Sequence, residues 1–353
     1  MGKILVIENP KQIAFHNYEE MPLAANEMRI KTLYSGISAG TQLTLYRGQN
    51  PLVDKSFNSD KRLYLDRKPN DPKEWALYPA RGAWSYEEVG EVIEVGAGVM
   101  QAKIGDLIFG QWGHRSTHVI TEDYYFSHKL PEGLNPMLGI FAQMGAISLN
   151  AILDADIHVG ENIAVFGQGV PGQIVSQLAR LNGATVFTVD MSDTRLALSK
   201  KLGAEYTFNP QKCDVGLEIK KLTGIGADKS IEISGAVKAL HEAIRTTAYN
   251  GKVVCAGFLV DQATDLCLGA EFHLNRINIV GSQIEDVNPA VSHLWNFMRK
   301  QHTILALANS GKLDLKSLIT DVIPFEDGAA AYHMLDTSTE CMQVILKFPD
   351  KPL

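Results

Sequence analysis

The chain has 353 residues, 45% of them hydrophobic and 21% charged, with a formal net charge of −7. That length allows a sizeable core and two domains, and the composition is that of an ordinary soluble globular chain. The absence of a Lys/Arg-rich run speaks against nucleic acid as a partner, and no apolar run approaches the ~20 residues that span a bilayer, so no membrane is expected either.

The opening stretch MGKILVIENPKQIAF reads as a strand and a turn. Its apolar run is cut short by Glu8 and Asn9, too soon for a signal peptide. Cys213, Cys255, Cys267 and Cys341 show no paired spacing, as in a reduced protein of the cytoplasm. A second strand, 27–34, alternates with period two. After it, residues 35–42 (SGISAGTQ) are small and hydroxyl-rich. They fit either a backbone that approaches a ligand closely or a helix start capped by Ser38 or Thr41. Residues 49–78 are polar, punctuated by proline and locally basic (Lys55, Lys61, Arg62, Arg67, Lys68, Lys73). They form an excursion, either a lid near a cleft or a surface insertion without function. From Trp84 the sequence turns β-rich, with turns at 95–98 and 105–106, and predicts a small barrel-like domain. A long apolar helix is predicted over 136–153.

Residues 162–190 carry the strongest signal: NIAVFGQGVPGQIVSQLARLNGATVFTVD. A short apolar strand runs into Gly167, Gly169 and Gly172 with G-x-G-x-x-G spacing. An amphipathic helix opening at Val170 and Pro171 follows, then a second strand ending in Asp190. This strand–turn–helix–strand–acid order is the unit that holds a dinucleotide. Gly167 permits the sharp turn, Gly169 lets backbone approach a pyrophosphate, and Gly172 lets helix and strand pack closely. The helix N-terminus offers free N–H groups and positive potential to the phosphates. Asp190 would accept hydrogen bonds from the adenosine ribose and would repel a 2′-phosphate. Met191, Ser192 and Asp193 bring no cation, and Arg195, placed to stack on the adenine, is the only nearby base. NAD(H) is therefore expected over NADP(H). Alternating helices and strands continue through strands 229–234, 251–258 and 277–283, as in a doubly wound parallel α/β sheet. Ser234–Gly235 and Ala256–Gly257–Phe258 close two strands at their carboxyl ends, where ligands bind in such sheets. A helix over 289–311, a strand over 321–325, a helix over 325–337 and a strand over 342–348 return to the first domain. The expected organisation is a β-rich domain of 1–150 plus 288–353, with the dinucleotide-binding domain, 151–287, inserted.

The chain resembles the medium-chain dehydrogenase/reductase superfamily, the alcohol dehydrogenase-like enzymes. The resemblance rests on GISAGT (36–41), E-x-x-G-E-V-x-E-V-G (87–96), the Gly105–Asp106 turn, the glycine motif with Asp190, GKVVCAG (251–257) and IPFED-x-x-x-A-Y (323–332). The stretch GAEFHLNRINIVGSQ is similar to a branch that includes bacteriochlorophyllide-type dehydrogenases. The resemblance implies a Rossmann domain within a GroES-like catalytic domain, a nicotinamide near 234–235 and 256–258, and a homodimer paired through 277–283. It also exposes departures. Zinc-dependent members place a cysteine where Ser38 stands and a histidine where Tyr86 stands, and their third ligand falls near Gln143 or Met144. No cysteine precedes Cys213 to build their structural zinc lobe. Neither a catalytic nor a structural zinc is expected.

Hydride transfer without zinc still requires an oxygen's developing charge to be stabilised and a proton to be moved. The candidates around the vacated positions are Ser38, Thr41, Tyr86, Glu87 and His114. Tyr86 can donate to a carbonyl oxygen, or merely pack as an aromatic. Thr41 resembles the family's hydroxyl relay, or caps a helix. Glu87 matches the glutamate beside the metal and without metal is left as an anchor. His114, in a glycine-flanked loop, is a general acid/base candidate or a surface histidine. The expected activity is zinc-independent, NAD-linked oxidation or reduction of a small alcohol or carbonyl, such as a polyol, sugar or cyclitol. An NADPH-linked quinone or enone reductase and a non-catalytic nucleotide-binding protein are the alternatives.

Overall fold

The computed structural model describes residues 1–68, 77–81 and 85–349; Lys73 and Trp84 lie outside them. In chain order, β1 (Gly2–Asn9) pairs antiparallel with β2 (Gln12–Tyr18), and β3 (Glu27–Ile37) runs into helix α1 (Ala39–Tyr46). The basic excursion forms an antiparallel hairpin of β4 (Lys55–Asn58) and β5 (Leu63–Asp66). Strands β6 (Glu88–Val95), β7 (Leu107–Gly110) and β8 (Thr117–Thr121) and helix α2 (Glu122–His128) follow. Then come α3 (Phe141–Ala155), β9 (Asn162–Phe166), α4 (Val170–Leu181), β10 (Thr185–Val189), α5 (Asp193–Lys201), β11 (Tyr206–Phe208) and α6 (Val215–Thr223). Strand β12 (Ala227–Glu232), α7 (Val237–Thr246), β13 (Thr247–Cys255), β14 (Asn278–Gly281) and α8 (Phe297–Asn309) complete that stretch. The last elements are β15 (Ile319–Pro324), α9 (Gly328–Thr337) and β16 (Gln343–Lys347).

The chain divides into two compact units, Met1–Ile140 with Ile319–Leu353, and Phe141–Leu318. The second unit is thus longer at both ends than the expected 151–287. The reason is packing: α3 lies on β12 and β13 and also on α4 and α8. Helix α3 covers the parallel sheet and α8 packs on α3, so both belong with the second unit. The stretch Pro136–Ala155 also corrects the expectation that nothing is long and apolar enough to span a bilayer. It has 20 residues and a mean hydropathy of 1.5 in its most apolar window, 72% of which is buried inside the protein. Its scattered Gln143, Ser148 and Asn150 break up the apolar run in the sequence while leaving its mean hydropathy high.

The second unit holds a six-stranded parallel sheet in the order β11-β10-β9-β12-β13-β14. Its apolar strands are buried on both faces, as a doubly wound sheet requires, and Ala164, Phe166, Phe187, Val189, Ile244 and Val253 form the core. The two edge strands are the exceptions: β14 has all four residues exposed and β11 has none buried. The helix expected from 289 begins only at Phe297, where the Asn296 side chain caps it by accepting from Arg299 N at 2.9 Å.

In the first unit the strand order is β15-β16-β3-β6-β7, with β8 also on β3. Leu5, Ile37, Leu45, Phe325, Tyr332 and Val344 form its main core, and Met28, Ile30, Val92, Ile108 and Trp112 a second. Strand β3 is central to the chemistry: it delivers its carboxyl end directly into α1.

Candidate active site

The glycine turn after β9 has the shape its spacing predicted. Gly167 has φ of +94°, a region that favours glycine. A Cβ on Gly172 would stand 1.8 Å from the Gly167 carbonyl oxygen, whereas a Cβ on Gly169 would meet nothing nearer than Pro171 at 4.0 Å. Gly172 is therefore filled by protein and Gly169 faces open space, as a backbone that receives a pyrophosphate should. Val170 and Pro171 open α4, with Gly169 as its N-cap. Asp190 is oriented by its own backbone surroundings. Its Oδ2 accepts from Gln168 N at 2.6 Å and its Oδ1 from Ser192 N at 2.8 Å. Met191 is exposed, and Arg195 lies in the first turn of α5, its backbone N–H donating to Ser192 Oγ at 3.3 Å. These residues fit a dinucleotide. Gly172→Ala should abolish NADH binding measured by fluorescence, because the new methyl cannot be placed without moving the strand or the helix; unaltered affinity would show that the turn does not hold the cofactor.

Sequence reading missed the residue that organises the two turns expected to lie near a nicotinamide. Glu232 is fully buried at the end of β12. Its Oε1 accepts from Ser234 N at 2.7 Å, Gly235 N at 2.9 Å and Ser234 Oγ at 2.5 Å. Its carbonyl oxygen accepts from Ala256 N at 2.8 Å and Gly257 N at 3.0 Å. One residue thereby ties the Ser234–Gly235 turn to the start of Ala256–Gly257–Phe258. A charged residue inside the apolar strand KSIEIS was the available signal.

In the first unit, three of the predicted residues meet. The 35–42 segment is a strand end followed by a helix, with Ser38 at the N-cap position of α1. The Ser38 hydroxyl makes no capping bond. It lies 2.6 Å from the Tyr86 hydroxyl, which is also 2.9 Å from Thr41 Oγ1. Tyr86 keeps partial exposure. Burial, reinforced by the neighbouring Glu87, pushes its pKa up to about 12. The result is a neutral phenol held by two hydroxyls.

Glu87 is completely buried beside it. Its Oε2 accepts from Gln343 Nε2 at 2.9 Å, and its Oε1 has no hydrogen-bond partner among the described residues. The carboxyl occupies the space left by a missing side chain: a Cβ on Gly36 would lie 2.2 Å from Glu87 Oε2. Burial, with the neighbouring Glu88 adding to it, raises the Glu87 pKa to about 8, against the opposing pull of the Gln343 hydrogen bond.

His114 does not join the hydroxyl group, nor is it a surface histidine. It is 2% exposed, and burial depresses its pKa to about 3. Its Nδ1 lies 2.6 Å from Ser35 Oγ, and its Nε2 lies 2.8 Å from Gln42 Oε1 and 3.1 Å from the Tyr332 hydroxyl. Ser35 Oγ is in turn 2.9 Å from Glu88 Oε1, which also accepts from Ser85 Oγ, and Glu88 Oε2 accepts from Trp112 N at 2.9 Å. None of Glu88, Gln42, Ser35 or Tyr332 was picked out from sequence. Adjacent Glu87 and Glu88 at a strand start point to opposite faces, which was the one available hint.

The positions that correspond to zinc ligands in the resembling family carry a hydroxyl, a phenol and amide or thioether groups. Zinc takes thiolate, imidazole or carboxylate. Tyr86 and Ser38 already satisfy one another, and Glu87 is engaged by Gln343. Among the described residues no group of three or more His, Cys, Asp or Glu side chains could hold a metal ion. The donor set does not fit zinc.

Residues 171–300 match the family described as zinc-binding dehydrogenase. The D-guloside 3-dehydrogenase of Escherichia coli (strain K12) is 31% identical over 334 residues, covering 94% of this chain and 95% of that protein. The (R,R)-butanediol dehydrogenase of Bacillus subtilis (strain 168) is 27% identical over 90% of this chain and 91% of that protein. The crystal structure of the 2R,3R-butanediol dehydrogenase from Bacillus subtilis superimposes with a TM-score of 0.77 at 23% identity, covering 99% of this chain and 100% of that chain. At that identity the likeness concerns the fold.

Proposed function

Because the chain belongs to the medium-chain dehydrogenase/reductase superfamily and is an oxidoreductase, we propose that it interconverts a secondary hydroxyl and a carbonyl on a sugar, glycoside or related polyol, with NAD(H) and without zinc. The Ser38–Tyr86–Thr41 hydroxyl cluster carries this reading, because the resemblance puts Ser38 and Tyr86 at zinc-ligand positions and with Thr41 they offer a proton instead. The sugar class is supported by the D-guloside 3-dehydrogenase relative. The preference for NAD(H) is supported by Asp190, a carboxylate fixed by two N–H groups where a 2′-phosphate would have to sit.

When bound, the nicotinamide supplies or takes the hydride. Everything else falls to side chains of this chain. Gly167, Gly169 and Gly172, the N-terminus of α4 and Asp190 would bind the adenosine and pyrophosphate part, and the turns tied by Glu232 the nicotinamide part. During reduction Tyr86 donates a hydrogen bond to the carbonyl oxygen and releases its proton as negative charge develops there. Ser38 and Thr41 orient the phenol and stabilise the charge it is left with. Glu87, buried and uncharged through most of the neutral range, keeps a second negative charge away from that oxygen.

The test is a panel of glycosides, polyols and their keto forms, assayed with NADH and NADPH on metal-analysed, chelator-washed protein. Turnover of at least one sugar with NADH is expected. Tenfold tighter NADPH binding would overturn the cofactor assignment, stoichiometric zinc would overturn the metal-free one, and turnover confined to quinones or enones would replace the substrate class. Asp190→Ser should bring the two cofactors at least about tenfold closer in affinity, since it removes a charge repulsion worth ~1.4 kcal/mol or more.

We also propose that β14 mediates a homodimer, because an edge strand exposed along all four residues is a ready pairing surface. Light scattering should give twice the 38.8 kDa chain mass. A proline at Ile279 should shift it to one chain by removing a pairing N–H.

A further inference from the structure

We propose that His114 is not an acid or base of the reaction but a positioning residue, which joins the helix carrying Ser38 and Thr41 to the strand start carrying Tyr86. The inference rests on the hydroxyl cluster being the proton-handling group, as argued above.

The two pieces of backbone that build the cluster are 48 positions apart at Ser38 and Tyr86 and are separated by the hairpin excursion. Something must fix their spacing to a few tenths of an ångström. Each is anchored by a close neighbour in sequence. Gln42 follows Thr41 in α1, is 1% exposed and reaches His114 Nε2 at 2.8 Å. Glu88 lies two residues beyond Tyr86, is fully buried and lies 2.9 Å from Ser35 Oγ, which lies 2.6 Å from His114 Nδ1. The imidazole therefore stands between the two anchors, with one ring nitrogen committed to each. Gln42 Oε1 can only accept, so the single N–H of the neutral ring is on Nε2, and Nδ1 faces the hydroxyls of Ser35, at 2.6 Å, and Ser85, at 3.3 Å. The Tyr332 hydroxyl donates to the same Gln42 oxygen and fixes it from α9.

Three features argue against a proton-transfer role. Both ring nitrogens are already bonded inside the protein. The ring is 2% exposed. The titratable groups that face it, Glu88 and Tyr332, are both at least as buried as the ring. A group with no route to a substrate cannot exchange protons with it, but it can set the geometry of groups that do.

The experiment compares His114→Phe, His114→Gln and Ser35→Ala with the parent protein, using NADH and the best keto-sugar from the panel. Active sites are counted by NADH fluorescence titration, so that misfolded protein is not scored. A misplacement of about 1 Å can cost ~100-fold in rate. His114→Phe, which keeps the ring but loses both bonds, should lower kcat by about 10- to 100-fold, with KM and NADH affinity within about threefold. His114→Gln, whose amide can restore the bond to Gln42, should recover part of that loss. In all three variants log kcat against pH should run parallel to the parent profile. Loss of a pH limb in His114→Gln would make the imidazole an acid or base and overturn the proposal. Full kcat in both His114→Gln and Ser35→Ala would overturn it as well. If His114→Phe does not fold, these two variants decide. An active Tyr86→Phe protein would instead sink the reading of the cluster itself.

Discussion

Tyr86→Phe should reduce carbonyl turnover by about 10²- to 10⁴-fold, the usual contribution of a placed general acid. The KM and the NADH affinity should scarcely change. The substitution is chosen because it retains the ring and its packing and removes one oxygen. Ser38 Oγ and Thr41 Oγ1, at 2.6 and 2.9 Å, then lose a shared partner but stay in place. With its pKa pushed up to about 12, the phenol is protonated throughout pH 5–9 and the donor is always loaded for reduction. In the oxidative direction the same group must accept the proton as a phenolate, a form scarcely populated at that pKa. Oxidation should therefore rise with pH while reduction stays level until Glu87 ionises. Steady-state rates in both directions, on parent and variant, check this. Equal rates for the two proteins would assign the proton to Ser38, Thr41 or solvent.

Glu87→Gln is expected to stabilise the protein at pH 9 and to leave it unchanged near pH 5. In the folded chain burial raises the Glu87 pKa to about 8, from an ordinary 4.5. Below the lower value both folded and unfolded chains hold the proton, and Glu87 costs nothing through ionisation. As pH rises from 4.5 to about 8, the unfolded chain releases it and the folded chain does not, so stability is lost steadily. Above that window the full cost is present. Each pKa unit corresponds to about 1.4 kcal/mol, so the loss reaches a few kcal/mol at pH 9. Glutamine keeps the acceptor for Gln343 Nε2 and never ionises. Thermal melts at pH 5 and pH 9 should show the two proteins together at the first and the variant several degrees higher at the second. The alkaline decline in reduction rate should also shrink in the variant. A parent whose stability is flat from pH 5 to pH 9 would contradict the raised pKa.

The sequence made the nucleotide unit legible because its rules are local. A strand, three glycines, an amphipathic helix and an acid lie within 29 residues, and each is required by backbone geometry. Ser38, Thr41 and Tyr86 could be selected as neighbours only through the family resemblance, since no spacing rule links positions 38 and 86. The floor of the site was illegible for the same reason. Gln42, Glu88, His114 and Tyr332 come from three elements and a loop, and only tertiary packing turns them into one hydrogen-bonded group. Helix boundaries shifted where a single side chain intervened, as at Asn296. The extent of the nucleotide unit shifted because α3 and α8 pair with each other and α3 with the parallel sheet, which the linear order of the elements does not reveal.

The strand order β15-β16-β3-β6-β7 has a consequence for how the molecule is made. Strand β16 comes after every other described strand in sequence, yet it is an interior strand, with β15 on one side and β3 on the other. It also carries Gln343, the partner of Glu87. Until residues 343–347 are made, the Tyr34–Ile37 end of β3 has a bare edge and Glu87 lacks the Gln343 donor. The parallel sheet, by contrast, draws all its strands from 162–281 and can close earlier. Under the proposed function, the sheet that would bind the cofactor can therefore form before Glu87 meets Gln343.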